Sequence, residues 1–257
     1  MSRTSRTIGA LALLALIGGA LAWAVFSGGD SDQTTAASRP PAPAALQRPP
    51  EKPRLELSDR GQPIVWLRQG AQIPIRSAPR GKVLKTVRWR TPFDSRTVLS
   101  VFRHVGQWAA VPTPLLPTGR LGWVKLDPEK LRAGWTPYSV DIDLSSRAAQ
   151  LRRGDRVLRS FAVTVGAPGT STPTGRFAVT DIFRGNLGPA YGCCAVATTA
   201  RQPHLPSGWF GGDRIAIHGT IGPLGVAASH GCVRAANENV SALVDRVPLG
   251  SPVVIRQ

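Results

Sequence analysis

Two short blocks near the end of the chain hold the residues that could do covalent chemistry. His218 and Gly219 end the apolar run IAIHG, and Cys232 follows fourteen residues after His218 in the block SHGCVR. A thiol attacks a carbonyl as its thiolate, and an imidazole within reach can take the thiol proton. His230 is a second candidate base, because residues two apart share a face in an extended segment. The two blocks predict a cysteine nucleophile activated by a histidine.

Two further histidines and a different chemistry compete with that pair. His104 lies in the middle of the chain and His204 in the Pro-rich segment RQPHLPSG, whereas His218 ends a strand-like run that would fix its direction. His218, His230 and Cys232 could supply three of four zinc ligands, but no Cys-x-x-Cys or His-x-x-x-His spacing accompanies them. Taken singly, His218 could be a core histidine and Cys232 a small buried side chain. Glycines beside both residues permit close backbone approach and favour a catalytic pair over these separate roles. The missing ligand spacing argues against a metal, and we expect no metal or other cofactor.

The two blocks together resemble the signature of the L,D-transpeptidases with a YkuD-type catalytic domain. The segments GGDRIAIHGT and TSTPTGRF also look like that family, and the resemblance covers roughly residues 136–257. It implies a mainly β protein with a YkuD-like β-sandwich and one short helix, in which Cys232 is the nucleophile and His218 its base. Gly219 would orient His218 through its carbonyl, and Gly231 with the backbone N–H groups around Cys232 would bind the oxyanion. The positions that match the family's substrate pocket, or a lid over it, are Ser229, His230, Arg234 and Tyr191.

The reaction that this resemblance implies is acyl transfer on the stem peptides of peptidoglycan. The thiolate would attack the third residue of a tetrapeptide donor, release the terminal D-Ala and form a thioester. An amine of a neighbouring stem peptide would resolve the thioester as a 3→3 cross-link, whereas water would make the enzyme an L,D-carboxypeptidase. The guanidinium of Arg234 suits a carboxylate on the stem. Carbapenems are the inhibitors that the resemblance implies for the same thiol.

The chain departs from the family pattern at two places beside the expected site. The span HGTIGPLGVAAS, from His218 to Ser229, is shorter than the family pattern and leaves the choice of acceptor open. Cys193 and Cys194 stand side by side in YGCC, and adjacent Cα atoms, about 3.8 Å apart, lie closer than in most disulfides. The burial habit of cysteine favours two small buried side chains in a loop over the pocket. A redox-sensitive lid is the other interpretation.

Residues 1–54 read as a targeting segment and a linker. The basic stretch 1–7 precedes an uncharged apolar run from 8 to 26, which is about 28 Å long as a helix and close to the thickness of a bilayer core. This length favours an uncleaved transmembrane anchor over a cleaved signal peptide, although ALA at 20–22 is a possible cleavage site. The basic flank would stay in the cytoplasm and the rest of the chain outside it. Residues 27–54 are rich in Pro and Ala and predict an extended linker.

Two β-rich regions follow the linker. Residues 55–128 show short apolar runs separated by Gly and Pro, which predict a small barrel or sandwich, and GQWAAV followed by GRLGWVKL resembles the end of a bacterial SH3-like domain. This module would bind cell wall or protein, or would only support the next domain. In residues 136–257, RRGDR predicts a hairpin turn, and the apolar spacing after Asn237, the expected N-cap, predicts one helix.

The net charge restricts the partners. The chain carries +17, from 32 Lys and Arg against 15 Asp and Glu, so anionic partners are favoured. The basic residues are scattered, and no zinc-finger spacing or RNA-binding signature is present, which argues against nucleic acid. Anionic cell-wall polymers fit the charge and the expected extracytoplasmic location. A non-catalytic wall-binding protein is the alternative of a different class, and it would not need Cys232.

Overall fold

Apolar runs of strand length, separated by Gly and Pro, form short strands throughout the part of the chain that the computed structural model describes, residues 54–185 and 187–257. These residues contain eighteen strands, one α-helix and one 3-10 turn, so the predicted mainly β fold with one short helix is confirmed. The predicted anchor at 8–26 and nearly all of the linker lie outside the described residues. No helix among the described residues is long and apolar enough to cross a membrane.

The first eight strands form the β module. They are β1 (Gln62–Leu67), β2 (Gln72–Arg76), β3 (Val83–Arg88), β4 (Val98–Ser100), β5 (Arg103–Val105), β6 (Trp108–Pro112), β7 (Leu121–Lys125) and β8 (Leu131–Thr136). They make two antiparallel sheets, one in the order β4-β1-β8 and the other in the order β3-β2-β7-β6-β5. Val65, Ile75, Val111, Val124 and Leu131 are fully buried in the core of this module.

Strand β8 extends the module beyond the predicted boundary at residue 128. It pairs with β1 along its whole length, from Leu67 opposite Leu131 to Gln62 opposite Thr136. The strand was missed because its sequence, LRAGWT, has no regular alternation of polar and apolar residues. Its Gly134 lies under the ring of Trp66, where a Cβ atom would come within 2.7 Å of the ring. The module therefore runs directly into the next domain at Thr136.

The second part of the chain contains ten strands. They are β9 (Tyr138–Asp143), β10 (Ala148–Arg153), β11 (Arg156–Ala162), β12 (Val165–Gly166), β13 (Gly175–Arg184), β14 (Cys194–Arg201), β15 (Arg214–Thr220), β16 (Ala227–Ser229), β17 (Val233–Ala236) and β18 (Pro252–Arg256). Eight of them form one mixed sheet, in the order β11-β10-β9-β18-β13-β14-β15-β17, and β12 pairs separately with β16 in parallel. The predicted hairpin joins β10 to β11, with Gly154 at a φ of 57°.

The helix α1 (Asn237–Arg246) follows β17 and buries Val240, Leu243 and Val244. These side chains join the core that β13, β14 and β15 contribute from the sheet. The prediction of Asn237 as the N-cap is wrong, because the cap position is Ala236 and no side chain caps the helix. The side chain of Asn237 instead accepts a hydrogen bond from the backbone N–H of Cys193, at 3.0 Å.

The module packs against the second sheet within one compact unit. The hydroxyls of Thr136 and Ser251 lie 3.1 Å apart, and Arg201 donates to the carbonyl of Pro114 at 2.8 Å. The hydroxyl of Thr118 donates to the carbonyl of Arg201, also across this junction, at 2.9 Å. One buried and two exposed polar contacts thus join the module to the segments at the ends of β14 and β18.

Candidate active site

His218 lies on β15 with its side chain buried. Its Nδ1 atom is 2.9 Å from the carbonyl oxygen of Gly219. Because a carbonyl can only accept, Nδ1 carries the proton and Nε2 keeps the lone pair of the neutral imidazole. Burial lowers the pKa of His218, the bond to Gly219 opposes that shift, and the positive charge of Arg234 adds to it. The side chain is therefore a neutral base with a fixed orientation.

Cys232 immediately precedes β17, which pairs in parallel with β15 and sets His218 opposite Arg234. The sulfur lies 3.5 Å from the backbone nitrogen of Ala216 and 3.8 Å from the carbonyl oxygen of Arg214. Burial raises the pKa of the Cys232 thiol, and the Ala216 N–H and the charge of Arg234 partly offset this. Both shifts favour the neutral thiol and the neutral imidazole, so a reaction at this sulfur would require transfer of the thiol proton.

The turn before Cys232 is held by the hydroxyl of Ser229. Ser229 donates from Oγ to the carbonyl of Cys232 at 2.6 Å and accepts at the same atom from the N–H of Gly231 at 3.1 Å. Gly231 has a φ of 111°, a region that favours glycine. The Gly231 N–H bonds Ser229 in this turn, and the expectation that it binds the oxyanion stays a prediction. Ser229 is a turn residue, 1% exposed, and its contact with substrate also stays a prediction.

Gln202 was missed in the sequence, although it fixes this turn from the other side. Its side-chain nitrogen donates to the carbonyls of Thr170 at 2.9 Å, Ser171 at 3.1 Å and His230 at 3.2 Å. Gln202 is buried, and it occupies the space that a Cβ atom on Gly231 would need. A glutamine before a Pro-rich loop carries no chemical signature, so only the fold could reveal this role.

Aromatic rings form the walls of the site. The ring of Tyr191 lies 4.9 Å from that of His218, and the ring of Trp209 lies 4.7 Å from that of His230. All four side chains line one cavity of about 90 Å³ together with Cys232. His230 is exposed and faces Trp209, which favours a role in the wall over a role as base. Trp209 was not among the predicted residues, because its neighbours in sequence gave no motif.

Arg234 lines the same cavity as His218 and Cys232. Its backbone N–H and carbonyl both bond Thr164, at 2.8 Å each, which anchors β17. Its Nε atom is buried and has no hydrogen-bond partner among the residues that the structure describes. Arg234 lines the cavity, and a guanidinium in that place is suited to a carboxylate. Within the described ranges, no group of three or more His, Cys, Asp or Glu residues is placed to hold a metal ion.

Cys193 and Cys194 form a disulfide, and Cys232 is a free thiol. The favoured expectation of two unpaired side chains is therefore wrong, although Cys194 is buried as expected. The disulfide lies between the 3-10 turn Pro189–Tyr191, which carries the ring that contacts His218, and the start of β14. A Cβ atom on Gly219 would lie 2.9 Å from the backbone nitrogen of Cys193. The disulfide segment thus packs directly on the residue that orients His218.

The second part of the chain is similar to known proteins. Residues 137–255 match the family model of the YkuD L,D-transpeptidase catalytic domain. A YkuD protein of Bacillus licheniformis is 31% identical over 128 residues, which are 46% of this chain and 66% of the relative. The YkuD protein of Bacillus subtilis is 29% identical over 123 residues, which are 47% of this chain and 67% of the relative. The chain thus spans about two thirds of the length of each curated relative.

A solved L,D-transpeptidase from Mycobacterium smegmatis is 16% identical and superposes with a TM-score of 0.39, over 63% of this chain and 92% of that one. The SH3-like resemblance of residues 55–128 stays a prediction. The family resemblance of the second part is confirmed by the family model and by the curated relatives. Residues 137–255 of this chain are a catalytic domain of the YkuD-type L,D-transpeptidase family.

Proposed function

We propose that this protein is a cysteine-dependent L,D-transpeptidase that forms 3→3 cross-links between peptidoglycan stem peptides. The observation that carries the proposal is that a free thiol, Cys232, and an oriented imidazole, His218, line the same cavity. A thiol that served only to fill space would not need a base with a fixed tautomer in its cavity. The match to the family model supports the reaction class.

In the first half-reaction, Nε2 of His218 takes the thiol proton as Sγ of Cys232 attacks the carbonyl of the third donor residue. The tetrahedral intermediate collapses, the bond to the nitrogen of D-Ala breaks, and the imidazolium returns its proton to the leaving amine. The product is a thioester on Cys232. Because the Gly231 N–H is bonded to Ser229, we assign the oxyanion to the other backbone N–H groups around Cys232.

In the second half-reaction, an acceptor amine attacks the thioester and loses a proton to His218. The carbon–sulfur bond breaks, an amide forms, and the thiolate of Cys232 is protonated again. The ring of Tyr191 lies 4.9 Å from that of His218 and would limit the access of water to the base. Arg234 would bind a stem carboxylate through its guanidinium.

An L,D-carboxypeptidase is the second candidate. The short span between His218 and β16 favours it, because a trimmed loop leaves more of the thioester open to water. The small cavity, about 90 Å³, and the burial of the sulfur favour the transpeptidase instead. The two candidates share the thioester and differ only in the acceptor.

The location and inhibitors of the enzyme follow from the same proposal. The sequence predicts a single N-terminal span, with residues 27–257 outside the cytoplasm, where the peptidoglycan substrate lies. The net charge of +17 would hold the enzyme near anionic wall polymers. Carbapenems would acylate Cys232 by the same attack on a carbonyl.

The proposed function is tested with the full chain in detergent, using a disaccharide-tetrapeptide and mass spectrometry of the products. A dimer lacking one D-Ala, absent with Cys232→Ala, is the expected result. Tripeptide without dimer would replace the transpeptidase by the carboxypeptidase. If neither dimer nor tripeptide forms, both candidates are refuted, and the non-catalytic wall-binding protein becomes the favoured alternative.

A further inference from the structure

The β module meets the eight-stranded sheet of the catalytic domain, here called the catalytic sheet, around a cavity of about 590 Å³. Thr91 of the module, Thr180 on β13 and Arg214 on β15 all line this cavity. Arg214 also lines the smaller cavity that holds Cys232. Because the two parts of the chain are not closely packed here, the polar groups that bridge the junction decide how the strands beside it are held.

The pairing of β15 with β14 is interrupted at the two groups that contact the nucleophile. Ala216 lies opposite Ala197, and Arg214 lies opposite Arg201. Three residues of β14 thus lie opposite one residue of β15. The N–H of Ala216 is 3.5 Å from the sulfur of Cys232, and the carbonyl oxygen of Arg214 is 3.8 Å from it. A bulge disrupts the ladder of backbone hydrogen bonds, so side chains must help to hold the strand at this point.

The guanidinium of Arg214 spans this irregular part of the sheet. It donates to the carbonyl of Thr198 on β14 at 3.2 Å and to the hydroxyl of Thr180 on β13 at 2.9 Å. Strand β13 is irregular at the same level, because its register with β14 shifts between Val179 and Asp181. The Arg214 side chain therefore ties three neighbouring strands together where the backbone pairing between them is incomplete.

The carboxylate of Asp181 lies beside that guanidinium. Asp181 is fully buried, and its Oδ2 atom is 3.7 Å from Arg214. The same oxygen has no hydrogen-bond partner within the described part of the chain. A buried carboxylate must be paired or hydrogen-bonded to be tolerated. Asp181 therefore depends on the charge of Arg214 at one oxygen and on a donor at the other.

The donor to the other oxygen comes from the β module. The hydroxyl of Thr91 donates to Oδ1 of Asp181, and it accepts from the N–H groups of Phe93 and Ser95 at 3.2 Å each. The ring of Phe93 packs edge-on against the ring of Phe183 on β13, with their centroids 5.3 Å apart. This turn of the module is thus seated on β13, with its hydroxyl directed at the buried carboxylate.

We propose that Thr91 is a positioning residue for the nucleophile, and that the β module contributes to catalysis through it. The hydroxyl of Thr91 holds the carboxylate of Asp181, which holds the guanidinium of Arg214. Arg214 in turn holds the part of β15 that contacts the sulfur of Cys232. Thr91 itself does not line the cavity of Cys232. The inference rests on the proposed function for the reaction, and it gives the module a role besides any binding of the cell wall.

The test compares Thr91→Val and Thr91→Ser with the unmutated protein, as full chains in detergent. Valine removes the hydroxyl at nearly constant shape, so kcat for release of D-Ala from the tetrapeptide should fall about threefold to thirtyfold, with KM changed less than about twofold. Serine keeps the hydroxyl and should restore kcat to within about twofold. Thr113→Val is the matched control and should leave kcat within about twofold, because the Thr113 hydroxyl accepts from the N–H of Leu115 in another turn of the module.

The rate at which iodoacetamide labels Cys232 is a second readout that does not need turnover. Burial raises the pKa of the Cys232 thiol and the N–H of Ala216 lowers it, so displacement of that N–H should slow labelling at a fixed pH. We expect labelling of Thr91→Val to be at least about threefold slower, and labelling of the serine and control variants to be unchanged. An unchanged or faster rate in folded Thr91→Val overturns the proposal. If the unmutated chain is labelled but releases no D-Ala, the proposed function fails, and the labelling rates still test the position of the sulfur.

A double variant tests the route through Arg214. Arg214→Lys keeps the positive charge but loses the planar fork, and it should itself lower kcat. If Thr91 acts through Arg214, adding Thr91→Val to Arg214→Lys should lower kcat by less than about a further twofold. Losses that multiply in full would overturn the proposed route. Circular dichroism at the assay temperature shows whether each variant is folded, and Thr91→Ala, which also lacks the hydroxyl, replaces Thr91→Val if the valine variant does not fold.

Discussion

Replacement of Gln202 by leucine removes a side chain that ties the turn before Cys232 to the loop at Thr170, which the hydroxyls of Thr170 and Thr172 also bond to that turn. The Gln202 nitrogen donates to three carbonyls, those of Thr170, Ser171 and His230, at 2.9 to 3.2 Å. Leucine has a similar volume and fills the space next to Gly231, but it cannot donate. Two N–H groups are lost from a buried position, and each carbonyl left without a donor costs about 1–3 kcal/mol.

The expected loss in the free energy of unfolding is therefore about 2–6 kcal/mol, if two carbonyls lose their donor and the third relaxes toward solvent. The effect on catalysis should be larger than this loss implies at a temperature where the variant is folded. A displacement of the nucleophile by about 1 Å can lower the rate about a hundredfold. We expect kcat/KM for the tetrapeptide to fall by between tenfold and a hundredfold, with the loss mainly in kcat.

Urea unfolding gives the stability, and steady-state release of D-Ala gives the rate. Gln107→Leu, at an exposed position of the module, is the matched control and should change both by little. Wild-type kcat in a folded Gln202→Leu variant would refute the argument that this side chain positions the nucleophile. An unchanged free energy of unfolding would refute the count of lost hydrogen bonds.

Three further predictions concern the titrating and paired groups. Iodoacetamide should label only Cys232 before reduction and all three cysteines after reduction and unfolding; a second labelled thiol in the native, unreduced protein would contradict the disulfide. Because burial lowers the pKa of His218, the unfolded chain binds its proton more readily, so stability should fall as pH drops below about 6.5, and His218→Gln should reduce that slope in urea titrations. Asp181→Asn removes the carboxylate beside Arg214 and should cost about 3–5 kcal/mol in the free energy of unfolding; a loss below about 1 kcal/mol would show that this buried pair contributes little.

The pair that we propose as catalytic could be predicted because its residues lie in short local blocks. The blocks HGT and SHGCVR carry the thiol, the imidazole and the flanking glycines, and both lie within the residues that match the family model. The carbonyl of Gly219 was also predictable, since it belongs to the residue that follows His218. The apolar spacing of the helix likewise fixed its position to within a residue.

Other parts of the site depended on residues far apart in the chain. Gln202 bonds the carbonyl of His230 across 28 positions, and Asn237 bonds the N–H of Cys193 across 44. No local sequence pattern predicts such pairs, because a glutamine or an asparagine gives no indication of which distant group its side chain will bond. The prediction of Asn237 as an N-cap failed for this reason: its oxygen found a donor in another segment.

The sequence by itself determined the family of the second domain and the mainly β fold, and it predicted the nucleophile and its base, because these follow from residue types and short-range spacing. Only the tertiary structure decided that Ser229 closes a turn, that the Gly231 N–H is engaged, and that β8 belongs to the module. It also decided where the module meets the catalytic sheet and encloses a second cavity. Those features follow from strand pairing and from the satisfaction of buried polar groups, which depend on contacts between distant segments.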